Sequence, residues 1–189
     1  MNITHEEIIK AFIDNKTDKY HLHRYDNMYY EIFKDLQPIK KLLEIGIKEG
    51  YSLGAWVDLF PYAEISGVDI SLEKFIHEKA KRAVVYEHDA VSPLVRDVIT
   101  STFDVIIDDG SHRPLDQWYS FLTFEGRWSQ CYIIEDIIGE QHVKMFDKYL
   151  KRKGFTYKVF ESVKKDARYR MSGEYKTIAF FAIAIFPKQ

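Results

Sequence analysis

Apolar residues recur along this chain in two alternating rhythms. Short, nearly unbroken runs, "KLLEIG" (41–46), "EISGVDI" (64–70), "AVVYEHD" (83–89), "FDVIIDD" (103–109) and "CYIIED" (131–136), read as buried strands. Segments with helical spacing lie between them. "SLGAWVDLF" (52–60) has Ser52 as N-cap and stops before Pro61. Further helices are expected from Ser71 toward Lys81, from Ser92-Pro93 for a short stretch, over "PLDQWYSFLTF" (114–124), and from Gln141 to Lys153, ended by Gly154. Two β runs, Phe155 to Val163 and Thr177 to Phe186, flank the polar loop "KKDARYRMSGEY" (164–175). Near the start, Thr4 and Glu7 have the T-x-x-E spacing of a capping box opening a helix toward Ile13. A polar stretch, "DNKTDKYHLHRYD" (14–26), precedes a second helical pattern from about Tyr25 to Leu36, closed by Pro38.

Strand–helix alternation repeated five times predicts an α/β fold with a doubly wound, mostly parallel sheet. The last two strands have no helix between them, so one of them lies antiparallel. Nothing along the chain marks a linker or repeat, and a single domain with a short helical N-terminal appendage (1–37) is expected. With 189 residues, 46% of them hydrophobic, the chain can bury a substantial core. A formal charge of -2 gives no electrostatic reason to expect a nucleic-acid partner. Cys131 is the only cysteine, which excludes an intrachain disulfide and a cysteine zinc cluster. The first residues, "MNITHEEIIK", lack the apolar core of a secretory signal. The longest apolar run, Ile178 to Phe186, is too short to span a bilayer. These features point to a cytoplasmic protein without a membrane partner and leave a homo-oligomer open.

Ligands of doubly wound sheets bind beyond the carboxyl ends of the strands. All five strands end in acid: Glu44, Asp69, Asp89, the pair Asp108-Asp109, and the pair Glu135-Asp136. Each alone reads equally as turn or cap chemistry. Seven carboxylates along one rim repel each other unless cations or hydrogen-bond donors sit among them, so a ligand site is expected. The first turn carries Gly46 and Gly50 without a G-x-G-x-x-G fingerprint, and no P-loop is present. An adenosine without phosphates suits this rim better than a dinucleotide, with Asp69 accepting from the ribose hydroxyls.

The order "LLEIGIKEGYSL…FPYAEISGVDIS…FDVIIDDGSH…YIIEDI", preceded by "TDKYHLHRYD", resembles class I S-adenosylmethionine-dependent methyltransferases. It is most similar to the metal-dependent macrolide-sugar O-methyltransferases of the mycinamicin and demethylmacrocin type. The resemblance covers roughly residues 17–140 and implies a seven-stranded Rossmann-like sheet with an antiparallel C-terminal strand. It places Glu44, Gly46, Gly50 and Ser52 at the methionine end of the cofactor, Asp69 on the ribose, Asp89 near the adenine, and Asp108 beside them. It makes Asp109, Glu135 and Asp136 ligands of Mg²⁺ or Mn²⁺, and His112 the catalytic base. Two departures stand out: Lys48 replaces a small residue of the glycine loop, and "RWSQ" (127–130) stands where the family has Gly-Gly before the fifth strand.

The chemistry of these residue types agrees. Neighbouring strands lie about 4.8 Å apart, so the end carboxylates of strands four and five can share a cation, and an all-oxygen set favours Mg²⁺, Mn²⁺ or Ca²⁺ over zinc. A cation acidifies an acceptor hydroxyl, and a histidine beside it can take the proton. The expected function is therefore O-methyl transfer to a hydroxyl of a saccharide or glycosylated small molecule. A metal-dependent hydrolase using the same rim, and a cofactor-binding module without turnover, are the alternatives. His112 also reads as a turn residue and Glu135-Asp136 as a capping pair. His21, His23 and Arg24 read as ligand contacts or as a solvated loop. Trp56, Trp118 and Trp128 read as core, and Lys164, Lys165, Arg168 and Arg170 as a solvated loop or a lid.

Overall fold

Adjacent residues of the central strands are buried together: Leu42 with Leu43, and Val105, Ile106 and Ile107 in a row, all at 0% exposure. A pleated strand sends successive side chains to opposite faces, so such runs need cover on both sides. The structure, a computed structural model that describes residues 3–162, 168–171, 174–177 and 180–188, supplies that cover. Its strands are β1 (Lys41–Ile45), β2 (Glu64–Asp69), β3 (Val84–Glu87), β4 (Phe103–Asp108), β5 (Trp128–Ile138), β6 (Thr156–Ser162), β7 (Arg168–Met171), β8 (Glu174–Thr177) and β9 (Phe180–Phe186). Seven of them form one sheet in the order β3-β2-β1-β4-β5-β9-β6. All are parallel except β9, which runs antiparallel to β5 and β6. The helices are α1 (His5–Asp14), α2 (Asp18–His21), α3 (Asp26–Phe33), α4 (Tyr51–Leu59), α5 (Val95–Val98), α6 (Pro114–Phe124) and α7 (Glu140–Lys153). Ile8, Phe12, Tyr29 and Trp56 from α1, α3 and α4 pack on one face, against Leu42, Val105, Ile107 and Ile133. Phe121, Phe146 and Leu150 from α6 and α7 cover the other face, over Leu43, Ile106 and Ile134. The three tryptophans pack as expected of core residues, with Trp56 and Trp128 buried and Trp118 against the α6–α7 face.

Several local expectations change. The Thr4–Glu7 capping box forms, but Ser52 is not the N-cap of α4. Gly50 takes that place at φ 88, a left-handed turn that lets the helix begin at Tyr51 and puts Ser52 in its first turn. The helix expected from Ser71 toward Lys81 is absent. Only a 3-10 turn, Lys79–Arg82, forms there, because the backbone N–H groups of Ile76 and His77 donate to the carbonyl of Glu49 in the loop after β1. The backbone at 168–171 and 174–175, expected as loop, joins a β7–β8 ribbon that extends to Thr177. Lys164 and Lys165 lie outside the described residues, as do the side chains of Arg168 and Arg170. Among the described residues, no helix is long and apolar enough to cross a membrane.

The order of the sheet reverses between β1 and β4, which places the ligand crevice at their carboxyl ends. Val68, Ile45, Asp108 and Ile134 form one rung across β2, β1, β4 and β5. The next residues, Asp69, Gly46, Asp109 and Glu135, therefore emerge level with one another at the rim.

Candidate active site

Beyond that rung lies a cavity of about 830 Å³, lined among others by Gly46, Lys48, Ser52, Asp69, Asp89, Asp108, Asp109, His112 and Asp136. Gly46 sets its floor. At φ 81 a Cβ there would lie 2.4 Å from the carbonyl oxygen of Asp109 and 2.6 Å from the Cα of Gly110, so only a glycine lets the loops after β1 and β4 touch. Asp69 organises the first loop: its Oδ2 accepts from the backbone N–H groups of Ile47 at 2.9 Å and Lys48 at 2.8 Å. Lys48 adopts the left-handed conformation (φ 44) that a small residue would favour, and its ammonium points outward to Glu49 at 3.6 Å. The substitution therefore leaves the loop in place. Asp89 is exposed at the cavity edge, with its Oδ1 accepting from the N–H of Val91.

Asp108 is buried between the two loops. Its carboxylate accepts from the Ser120 hydroxyl, from Tyr132 Oη at 3.3 Å and from the N–H of Gly110 at 3.3 Å. Burial pushes its pKa up to about 6, against those hydrogen bonds, which lower it. Asp109 and His112 follow, with His112 held at φ 55 by the turn.

On β5, register against β9 slips between Ile134 and Ile137, and Asp136 sits at φ 50. A regular pleat would send Glu135 and Asp136 to opposite faces; this bulge lets both reach the N-terminal helices. Asp136 Oδ1 accepts from Tyr25 Oη at 2.6 Å and lies 3.0 Å from His23 Nδ1. Burial, reinforced by Asp136, holds the Tyr25 hydroxyl far above the usual phenol range, so it remains a donor. Asp136 Oδ2 faces the cavity, 4.0 Å from His112 Nε2, which is also 4.0 Å from Asp109 Oδ1. Asp109, His112 and Asp136 each present one atom, all within 4.8 Å of one another, which is the spacing of a cation site.

The other oxygen of Asp109 belongs to Lys19. This lysine, 1% exposed, donates to Asp109 Oδ2 at 2.7 Å and to Glu135 Oε1 and Oε2 at 2.8 and 2.9 Å, with Glu44 at 3.6 Å. Burial opposes its charge, but Asp109, Glu135 and Glu44 outweigh that and hold its pKa well above the ordinary lysine value. Tyr29 also donates to Glu135. Glu44 is fully buried behind the cavity wall, and burial raises its carboxyl to about 7 against the lowering effect of Lys19.

No protein-family model matches the chain, and no curated protein sequence matches it. Solved structures do. The MycE methyltransferase of the mycinamycin biosynthetic pathway, in complex with Mg, SAH and mycinamycin VI, is 28% identical over 69% of this chain and 37% of that one, at a TM-score of 0.61. An O-methyltransferase from Bacillus cereus, in complex with SAH, superposes over 96% of this chain and 91% of that one at a TM-score of 0.62, with 14% identity. This chain has the class I methyltransferase fold. A precorrin-6y C5,15-methyltransferase from Geobacter metallireducens shares that methyltransferase fold, at 17% identity over 82% and 83% of the two chains and a TM-score of 0.57. The chain spans little more than a third of the MycE structure it matches.

Within this methyltransferase fold, the residues singled out from the sequence divide into two groups. Gly46, Ser52, Asp69, Asp89, Asp108, Asp109, His112 and Asp136 line one cavity. Glu44 and Glu135 do not; both are buried behind it, around Lys19. Gly50 caps α4. His23 joins the site through Asp136, whereas His21 and Arg24 are exposed. Lys19 and Tyr25 lie in the "TDKYHLHRYD" segment that carries the resemblance, but neither they nor Tyr29 received a role from the sequence.

Proposed function

We propose that the protein is an S-adenosylmethionine-dependent O-methyltransferase that uses a divalent cation and acts on a hydroxyl of a saccharide or glycosylated small molecule. The observation that carries this reading is the meeting, in one cavity, of the Gly46–Asp69 loop with the trio Asp109, His112 and Asp136. The similarity to MycE, whose structure holds Mg, SAH and mycinamycin VI, supports both halves of it. The residues fit the cofactor: no Cβ obstructs Gly46, and Asp69 stands at the end of β2, where a ribose acceptor belongs. They also fit a cation, because Asp109 and Asp136 each turn one oxygen into the cavity beside His112, while Lys19 and Tyr25 hold their other oxygens.

S-adenosylmethionine would supply an electrophilic sulfonium methyl, and a cation held by Asp109 and Asp136 would acidify the acceptor hydroxyl. The chain does the remainder. Asp69 holds the first loop open through the N–H groups of Ile47 and Lys48. Lys19 and Tyr25 fix the two aspartates so that one oxygen of each faces the cavity. His112 Nε2, between them, accepts the hydroxyl proton.

Methyl transfer from labelled S-adenosylmethionine to a panel of sugars and glycosides, with and without chelator, tests this. Turnover that chelator abolishes and Mg²⁺ or Mn²⁺ restores is the expected result. A protein that binds neither S-adenosylmethionine nor SAH by calorimetry would overturn it.

A further inference from the structure

The Lys19 ammonium lies deeper than the catalytic cavity and is fully committed. An ammonium has three donors, and here three carboxylate oxygens accept: Asp109 Oδ2, Glu135 Oε1 and Glu135 Oε2. Glu135 is equally committed. Lys19 occupies both its oxygens, Tyr29 adds a second donor to Oε1, and Gln117 Nε2 pins its backbone carbonyl at 2.7 Å. Lys19 and the Glu135 side chain are 1% and 2% exposed, so any exchange of partner would leave a charge buried without a counter-ion. Asp109 and Asp136 each turn one oxygen toward His112 in the cavity.

We propose that Lys19 is the resident cation of this site. Its ammonium holds the place between Asp109 and Glu135 that a metal bridging those two carboxylates would need, so Glu135 is the counter-ion of a lysine and not a metal ligand. Lys19 then acts as a positioning residue: by taking Asp109 Oδ2 it turns Oδ1 toward His112 and Asp136, and it confines a divalent ion to Asp109 and Asp136, beside His112. This rests on the metal-assisted reading above for the ion, but not for the lysine.

The experiment has two arms, both on the full chain. In the first, Mn²⁺ alone is titrated into wild type, Glu135→Gln and Asp136→Asn, followed by the loss of the free-ion electron paramagnetic signal. Asp136→Asn should weaken binding by at least about tenfold, the scale seen when metal-site groups are removed, while Glu135→Gln should bind as wild type does. Loss of binding in Glu135→Gln equal to that in Asp136→Asn would overturn the proposal. In the second arm, thermal unfolding is measured for Lys19→Met, Glu135→Gln and the double variant. Lys19→Met alone should lower the Tm by about 10 °C, from carboxylates left buried without their cation, and the double variant should be more stable than Lys19→Met. Additive losses in the double variant would overturn the proposal. A wild type that takes up no Mn²⁺ would count against the metal-assisted function instead, and the unfolding cycle would still decide the role of Lys19.

Discussion

Replacing Gly46 with alanine should damage the site from its backbone outward. Two costs add. The residue sits at φ 81, where an L side chain is disfavoured by about 1–2 kcal/mol. The new Cβ would also lie 2.4–2.7 Å from the carbonyl carbon and oxygen of Asp109 and the Cα of Gly110. Neither wall can yield easily. The Asp109 N–H donates to Ile45 O at 2.9 Å, and the Gly46 N–H donates to Val68 O at 2.8 Å, so both loops are tied to the sheet. Overpacking of this kind adds about 1–3 kcal/mol. Gly126 provides the control, because it has a similar φ of 79 and open space where its Cβ would go. Gly126→Ala should therefore show the conformational cost alone, and Gly46→Ala should exceed it by about 1–3 kcal/mol. Urea denaturation followed by circular dichroism measures the difference, and calorimetry with SAH reads the site. Gly46→Ala should also lose SAH affinity, since the loops that must separate are those carrying Asp69's partners and Asp109. Equal destabilisation of the two variants, or wild-type SAH binding by Gly46→Ala, would refute the close approach as the reason for this glycine.

Two further outcomes follow from single side chains. Burial raises the Asp108 carboxyl from 3.8 to about 6, so the folded state binds its proton more tightly than the unfolded state, and stability falls as pH rises between those values, by about 3 kcal/mol in all. Glu44, raised by burial to about 7, adds a slope of the same sign, so Asp108→Asn should flatten the fall in urea midpoints without abolishing it; an unchanged slope would assign it to another group. His112→Ala should melt and bind SAH as wild type does, yet slow the chemical step about 10²- to 10⁴-fold in single-turnover measurements, and an unchanged rate would leave His112 as a turn residue only.

The strands were legible because burial on both faces writes itself as unbroken apolar runs, as in Val105-Ile106-Ile107. Their acidic ends were legible because topology alone assigns them to one rim. The segment after β2 misled: Leu72, Phe75 and Ile76 have helical spacing, but the N–H groups that a helix would use go to Glu49, a contact formed only in the folded chain. Lys19 was illegible for a related reason. A buried lysine is tolerated only beside buried carboxylates, and its partners stand 90 and 116 residues away. "DNKTDKYHLHRYD" by itself is simply polar, and from the rim alone Glu135 could not be told from Asp136, because the bulge that separates their roles is set by pairing with β9.

Those separations also bear on the order in which the molecule is made. Lys19 leaves the ribosome long before Asp109 and Glu135 exist, and until β5 joins the sheet its charge has nowhere to go but water. The first two dozen residues must therefore wait, hydrated, while the parallel core assembles behind them. A nascent chain stalled before residue 135 carries an N-terminal segment with no seat for its lysine, and calls on chaperones or proteases at that stage would concentrate there. The seat for Lys19 is thus completed only after the lysine itself has been translated, once β4 and β5 have followed it.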